Sequence, residues 1–219
     1  KVSALLFVCE IVTLIFFQKD NLLLSYFMGP EVVASYSVSW QLFLFLNAVL
    51  LTISPYLGPG FGEAYATGDL VWMRQALKAG VAASLAITVP ILCVFVFFHE
   101  QILSVWVGQH LKSTFATIVW LGAWSLLQAV MSPIFSLLIG TGRLRLYATF
   151  AVPAAVLSVL LSIVFVKEYG ASGVAAASVI CYGVLVVVPT SMEMLRIFKR
   201  GKNAAESAGE TRDCVLQSD

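Results

Sequence analysis

Charge is what this sequence has least of. Only 11% of its 219 residues are Asp, Glu, Lys or Arg, against about 25% in a soluble domain. The net charge is +1, so no broad positive field exists to gather nucleic acid. Cysteine is sparse too. Cys9, Cys93, Cys181 and Cys214 lie far apart with no Cys-x-x-Cys, which argues against a disulfide framework or a zinc site. No Gly-x-x-x-x-Gly-Lys-Ser/Thr is present, so no ATPase loop is encoded here. Gly-x-Ser-x-Gly and His-Glu-x-x-His are also absent. Glu63, Asp69, Glu100 and Glu168 are scattered rather than clustered as a membrane-embedded transferase would need. A protein that is not an enzyme, with no resident cofactor or metal, is the expectation.

What abounds is apolar surface. Residues of the AVILMFWYC set make up 60% of the chain. They fall in six blocks, 2–28, 32–56, 79–98, 114–138, 146–166 and 174–195, which hold only four charges: Glu10, Lys19, Asp20 and Glu193. A helix needs ~20 apolar residues to cross ~30 Å of hydrocarbon. The blocks are continuous, not the alternating ~10-residue segments of a β-barrel. The fold class is therefore an all-α membrane protein, a six-transmembrane-helix bundle over residues 1–200. Residues 201–219 are polar and rich in Ala, Ser, Gly and Glu, and read as a disordered cytoplasmic tail. The chain starts at Lys1 and runs straight into an apolar helix, so a missing N-terminal portion is expected.

The breaks carry boundary chemistry. Gly29-Pro30-Glu31 is a tight turn, and Gly58-Pro59-Gly60 opens a longer connection over 57–78. Within it, Asp69 is placed to N-cap a short amphipathic helix, Leu70–Leu77. A second interfacial piece, Ile102–Val107, is expected to end at Gly108. Gly140–Arg145 and Lys167–Gly173 separate the last three spans. Ten of the thirteen Lys and Arg fall on one side of this layout; Lys19, Lys112 and Lys167 fall on the other. The positive-inside rule then puts both ends of the chain in the cytoplasm.

Ionisable groups inside spans are functional candidates, because each costs at least ~2.5 kcal/mol to insert. In the first span, Ser3, Glu10, Thr13, Gln18, Asp20, Asn21 and Ser25 share an arc of ~160° at 3.6 residues per turn. That face lines either an aqueous cavity or a hydrogen-bonded seam. Glu10, Asp20 and Asn21 are its cavity-lining or ion-coupling candidates, for a proton or a monovalent cation. Lys19 points the opposite way and is expected to snorkel to the outer interface. The second span groups Tyr36, Trp40 and Asn47, and the fourth groups Thr117, Trp120, Trp124 and Gln128. An aromatic face beside an amide suits a sugar ring, and equally suits helix packing. Trp40, Asn47, Trp124 and Gln128 are substrate-contact candidates on that ground. Pro90, Pro133, Pro153 and Pro189 lie inside spans and predict kinks.

The stretch from Asp20 through the leucine run 22–24, Gly29-Pro30 and Ala34-Ser35-Tyr36 resembles the seventh-span region of bacterial polysaccharide (O-antigen-type) flippases. These belong to the multidrug/oligosaccharidyl-lipid/polysaccharide exporter superfamily. Gly62–Asp69 with Arg74, Gly140–Arg145 and Gly170–Ala177 are similar to later segments of that family, in family order. The resemblance implies the C-terminal six-helix half of a transporter with two bundles. It implies alternating access that moves undecaprenyl-pyrophosphate-linked glycans outward for cell-surface polysaccharide biosynthesis. The partners implied are the lipid-linked glycan, membrane lipids and a further N-terminal six-span half, in the bacterial inner membrane. Arg143 and Arg145 would then meet headgroups or the pyrophosphate at the cytoplasmic mouth. The lipid II flippase branch carries Na⁺-binding acids on its seventh and eleventh spans. The equivalent of the eleventh here, 146–166, offers Ser158 and Ser162 and no acid. Two other readings stay open: a proton- or cation-coupled drug exporter of the same superfamily, and a membrane scaffold or transferase subunit.

Overall fold

The computed structural model describes residues 2–53, 56–107, 114–196 and 198. The described residues are almost entirely helical and include no strand. In chain order the helices are α1 (Val2–Phe27), α2 (Pro30–Ile53), α3 (Leu57–Thr67), α4 (Leu70–Phe97), α5 (His99–Val107), α6 (Phe115–Gly140) and α7 (Leu144–Tyr182). A π-helical segment, Gly183–Val187, and a further helical run, 188–196, continue α7. The expected tail, 201–219, and the Gly108 end of α5 lie outside the described residues.

Two sequence expectations change. The amphipathic helix after Asp69 is not a separate piece. Asp69 Oδ1 does accept from Trp72 N at 2.9 Å as an N-cap. The helix then runs on unbroken for 28 residues, about 42 Å at 1.5 Å per residue. No breaker follows Leu77 strong enough to stop it, so the Arg74 and Lys78 turns extend a span instead of lying across the interface. The gap expected at Lys167–Gly173 shrinks to one residue. Gly170 takes φ 60°, ψ −137°, a conformation that glycine alone adopts readily. Ser162 and Ser178 stand eight positions either side of it, and both reach Lys19 Nζ at 2.9 Å. The chain therefore doubles back at Gly170, and α7 is two antiparallel arms.

Pro189 leaves a different mark. Its ring clashes with the carbonyl four residues back and it offers no N–H. The turn before it widens, and Val188 N–H bonds Gly183 O, five residues away.

Helix α6 is central. Its buried Trp124, Met131, Ile134 and Leu137 join one apolar cluster, and Ile118 and Leu121 join a second nearer its start. Outward, Phe7, Ile11, Leu14, Ile15 and Leu22 on α1 and Val152, Val156, Leu160 and Val164 on α7 are exposed. Helical stripes this apolar fit hydrocarbon, not water. Among the described residues, Leu70–Phe97, Phe115–Gly140 and Tyr147–Arg196 are long and apolar enough to cross a membrane. The last of these contains the Gly170 reversal.

The two ends of the bundle differ in charge. One end holds α3, the start of α4 with Arg74 and Lys78, and the α6–α7 turn with Arg143 and Arg145. Arg143 Nη2 donates to Tyr65 OH there at 3.2 Å. The opposite end holds the Gly29 turn, α5 and Gly170, with Lys167 Nζ 5.8 Å from the Phe27 ring centre.

Candidate functional site

The site grows from two neighbouring residues of α1. Burial on this helix follows Val12, Phe16, Lys19, Asp20 and Leu24, the spacing of one helical face. That face packs against α7. Gln18 and Ser25, members of the predicted polar arc, are exposed instead. The arc thus straddles the edge of the packed face.

The largest correction concerns Lys19. It does not snorkel outward but is 6% exposed, with its ammonium inside the bundle. Adjacent helical residues do not normally face one another, yet the long lysine stem lets Nζ fold onto Asp20 Oδ1 as a buried ion pair. Ser162 Oγ and Ser178 Oγ complete its hydrogen bonds at 2.9 Å each. Tyr36 OH of α2 donates to the other carboxylate oxygen, Asp20 Oδ2, at 2.7 Å. With every charge partnered, burial becomes tolerable; an unpaired ion here would cost several kcal/mol.

Beside this network lies an aromatic recess. Phe16, Tyr36, Trp40, Trp120 and Trp124 line it together with Asp20 and Ser178. Trp124 packs its ring 5.9 Å from Phe16 and 4.9 Å from Tyr182. Trp40 and Trp120 are half-buried at the rim. The structure thus brings Asp20, Trp40 and Trp124 together, from three helices and two expected roles.

The other candidates stand elsewhere. Asn21 is half-buried and accepts from Ser37 Oγ at 3.0 Å, tying α1 to α2. Asn47 is buried, and its amide donates to Ser125 Oγ of α6 at 3.4 Å. Gln128 is half-buried one turn along α6 from Trp124, and does not line the recess. Arg143 is held against Tyr65, and Arg145 is exposed at the same end. The side chain of Glu10 lies outside the described residues. Lys19, Tyr36, Ser162 and Ser178 are the network members that sequence reasoning did not select as candidates. The one available signal was a charged residue next to Asp20, and helical angle alone pointed it the wrong way.

A family model described as MatE matches residues 6–164, well over half of the chain. The match takes in Lys19, Asp20, Tyr36 and Ser162 and stops before Ser178. No curated protein and no solved structure matches the chain.

Proposed function

The chain belongs to the MatE family of membrane exporters, in the multidrug/oligosaccharidyl-lipid/polysaccharide exporter superfamily, and from that premise we propose that it is one six-helix half of a lipid-linked oligosaccharide flippase. The reading has the bundle pair with a second, N-terminal bundle in the bacterial cytoplasmic membrane. Alternating access then carries undecaprenyl-pyrophosphate-linked glycan from the cytoplasmic to the outer leaflet. Arg74, Lys78, Arg143 and Arg145 face the cytoplasm, where the two arginines of the α6–α7 turn meet lipid headgroups or pyrophosphate.

The observation that supports this reading is the aromatic recess. Trp40, Trp120 and Trp124 line it next to Asp20 and Ser178. Their side chains nearly fill it here, and Trp124 is buried against Phe16 and Tyr182, so in this reading a sugar enters only when alternating access parts the helices. A sugar offers the matching pair of surfaces, a C–H face for stacking and hydroxyls for hydrogen bonds. In this reading the driving ion, a proton or a monovalent cation, meets the bundle at Glu10, because Lys19 already neutralises Asp20. Asn21 holds α1 to α2 as the cavity opens and closes.

One observation favours a rival. A recess lined by aromatic rings also attracts organic cations, as a cation-coupled drug exporter requires. Proteoliposomes of the full-length transporter separate the two. Trp40→Leu and Trp120→Leu, both at half-buried positions, are expected to slow glycan translocation at least tenfold and leave dye efflux absent. Robust efflux of a cationic dye, with no movement of lipid-linked glycan, would establish the drug exporter instead.

A further inference from the structure

Three side-chain oxygens accept from the Lys19 ammonium: Asp20 Oδ1, Ser162 Oγ and Ser178 Oγ. Ser178 commits its own proton to Val174 O at 3.1 Å, which leaves lone pairs toward the ammonium. Asp20 Oδ2 is engaged by Tyr36 OH, so the carboxylate cannot swing away without losing that bond. Ser162 is fully buried, and Lys19, Asp20 and Ser178 are nearly so. The oxygens come from α1 and from both arms of α7, so the cage exists only where the Gly170 hairpin closes on α1. One carboxylate and two hydroxyls supply three hard oxygen donors, the ligand type that hard cations take.

We propose that Asp20, Ser162 and Ser178 form a monovalent-cation site whose permanent occupant is the chain's own Lys19 ammonium. The tethered charge does the structural work of a bound alkali ion, joining the α7 hairpin to α1 with no need of a diffusible one. Shortening the lysine without replacing its charge empties the cage and turns an ion-independent junction into an ion-dependent one. The inference stands on side-chain geometry and holds whichever substrate the transporter carries. An ordinary ion pair predicts something else: loss of Lys19 would weaken the bundle equally in every salt.

Thermal unfolding of the full chain in detergent distinguishes these. The probes are LiCl, NaCl, KCl and N-methylglucamine chloride at one ionic strength. The wild type is expected to unfold at the same temperature in all four. Lys19→Met is expected to unfold earlier in N-methylglucamine. It should regain on the order of 5 °C, saturably, in at least one alkali chloride. Adding Asp20→Asn to Lys19→Met should abolish that recovery. The proposal is overturned by a saturable alkali effect on the wild type, by a Lys19→Met protein indifferent to the cation, or by recovery that survives Asp20→Asn. Lys19→Gln serves as a second, nearly isosteric neutral variant. If neither single variant folds in any salt, the proposal also fails, since a cage that free cations refill cannot be essential to folding.

Discussion

Two junctions hold this bundle together by opposite means. Where α1 meets the α7 hairpin, a buried lysine, a carboxylate, two serines and a tyrosine interlock. Where α3 meets α6, buried Phe61 and Ala64 pack with Ile134, Leu137 and Leu138, and at one point the two backbones touch directly. Gly62 and Gly140 pass so close that a Cβ on Gly140 would stand 2.4 Å from Gly58 O and 3.0 Å from Gly62 N. The first junction is directional and carries charge that costs energy to bury. The second gains dispersion from close approach and apolar packing, and needs a side chain to be missing only where Gly62 and Gly140 cross. The contrast is one of kind: apolar packing tolerates many partners, whereas the charged junction requires its own set of partners.

Four substitutions test that contrast, in falling order of effect. Asp20→Ala leaves the Lys19 ammonium with hydroxyls alone and is expected to remove about 3–5 kcal/mol of stability. Equilibrium unfolding in mixed micelles measures it, and a loss below about 1 kcal/mol would erase the distinction between the junctions. Gly140→Ala forces two backbones apart and is expected to cost about 1–3 kcal/mol, read as a lower midpoint of heat unfolding. An unchanged midpoint would mean that the α3–α6 crossing is looser than its geometry. Tyr36→Phe deletes one hydrogen bond to a carboxylate that keeps its lysine, for about 1.5 kcal/mol. A double-mutant cycle with Asp20→Asn should show that most of this is coupling between the pair; additive losses would detach Tyr36 from the network. Glu193→Gln breaks the exposed pair with Arg196, whose atoms lie 2.7 Å apart. It should shift stability by less than about 1 kcal/mol, and a larger change in urea or heat titrations would give the rim an importance that the comparison denies it.

Much of the architecture is legible in one dimension. Apolar length marks an all-α membrane protein, with three membrane-crossing candidates among the described residues. Gly29-Pro30 marks the first turn, and Asp69 does cap the helix that follows it. These are local matters of hydropathy, φ preference and side-chain reach. The site was only half legible. Asp20 stands out as an acid in an apolar run, and Trp40 and Trp124 stand out as aromatic faces. Lys19 was misread because its angle on α1 was measured against the other polar residues of that helix. The packed face is set by α7, whose serines no periodicity could pair with a lysine 143 and 159 positions away.

The scarcity and placement of charge therefore determined, by sequence alone, that this is an all-α membrane protein. Hydrocarbon excludes unpaired charge wherever the chain happens to fold, so that inference needs no contacts. Tertiary structure alone decided which intramembrane charges neutralise one another. The energy of a buried ion depends on the atoms a few ångströms from it, and here those atoms are supplied by a hairpin that closes at Gly170, far along the chain.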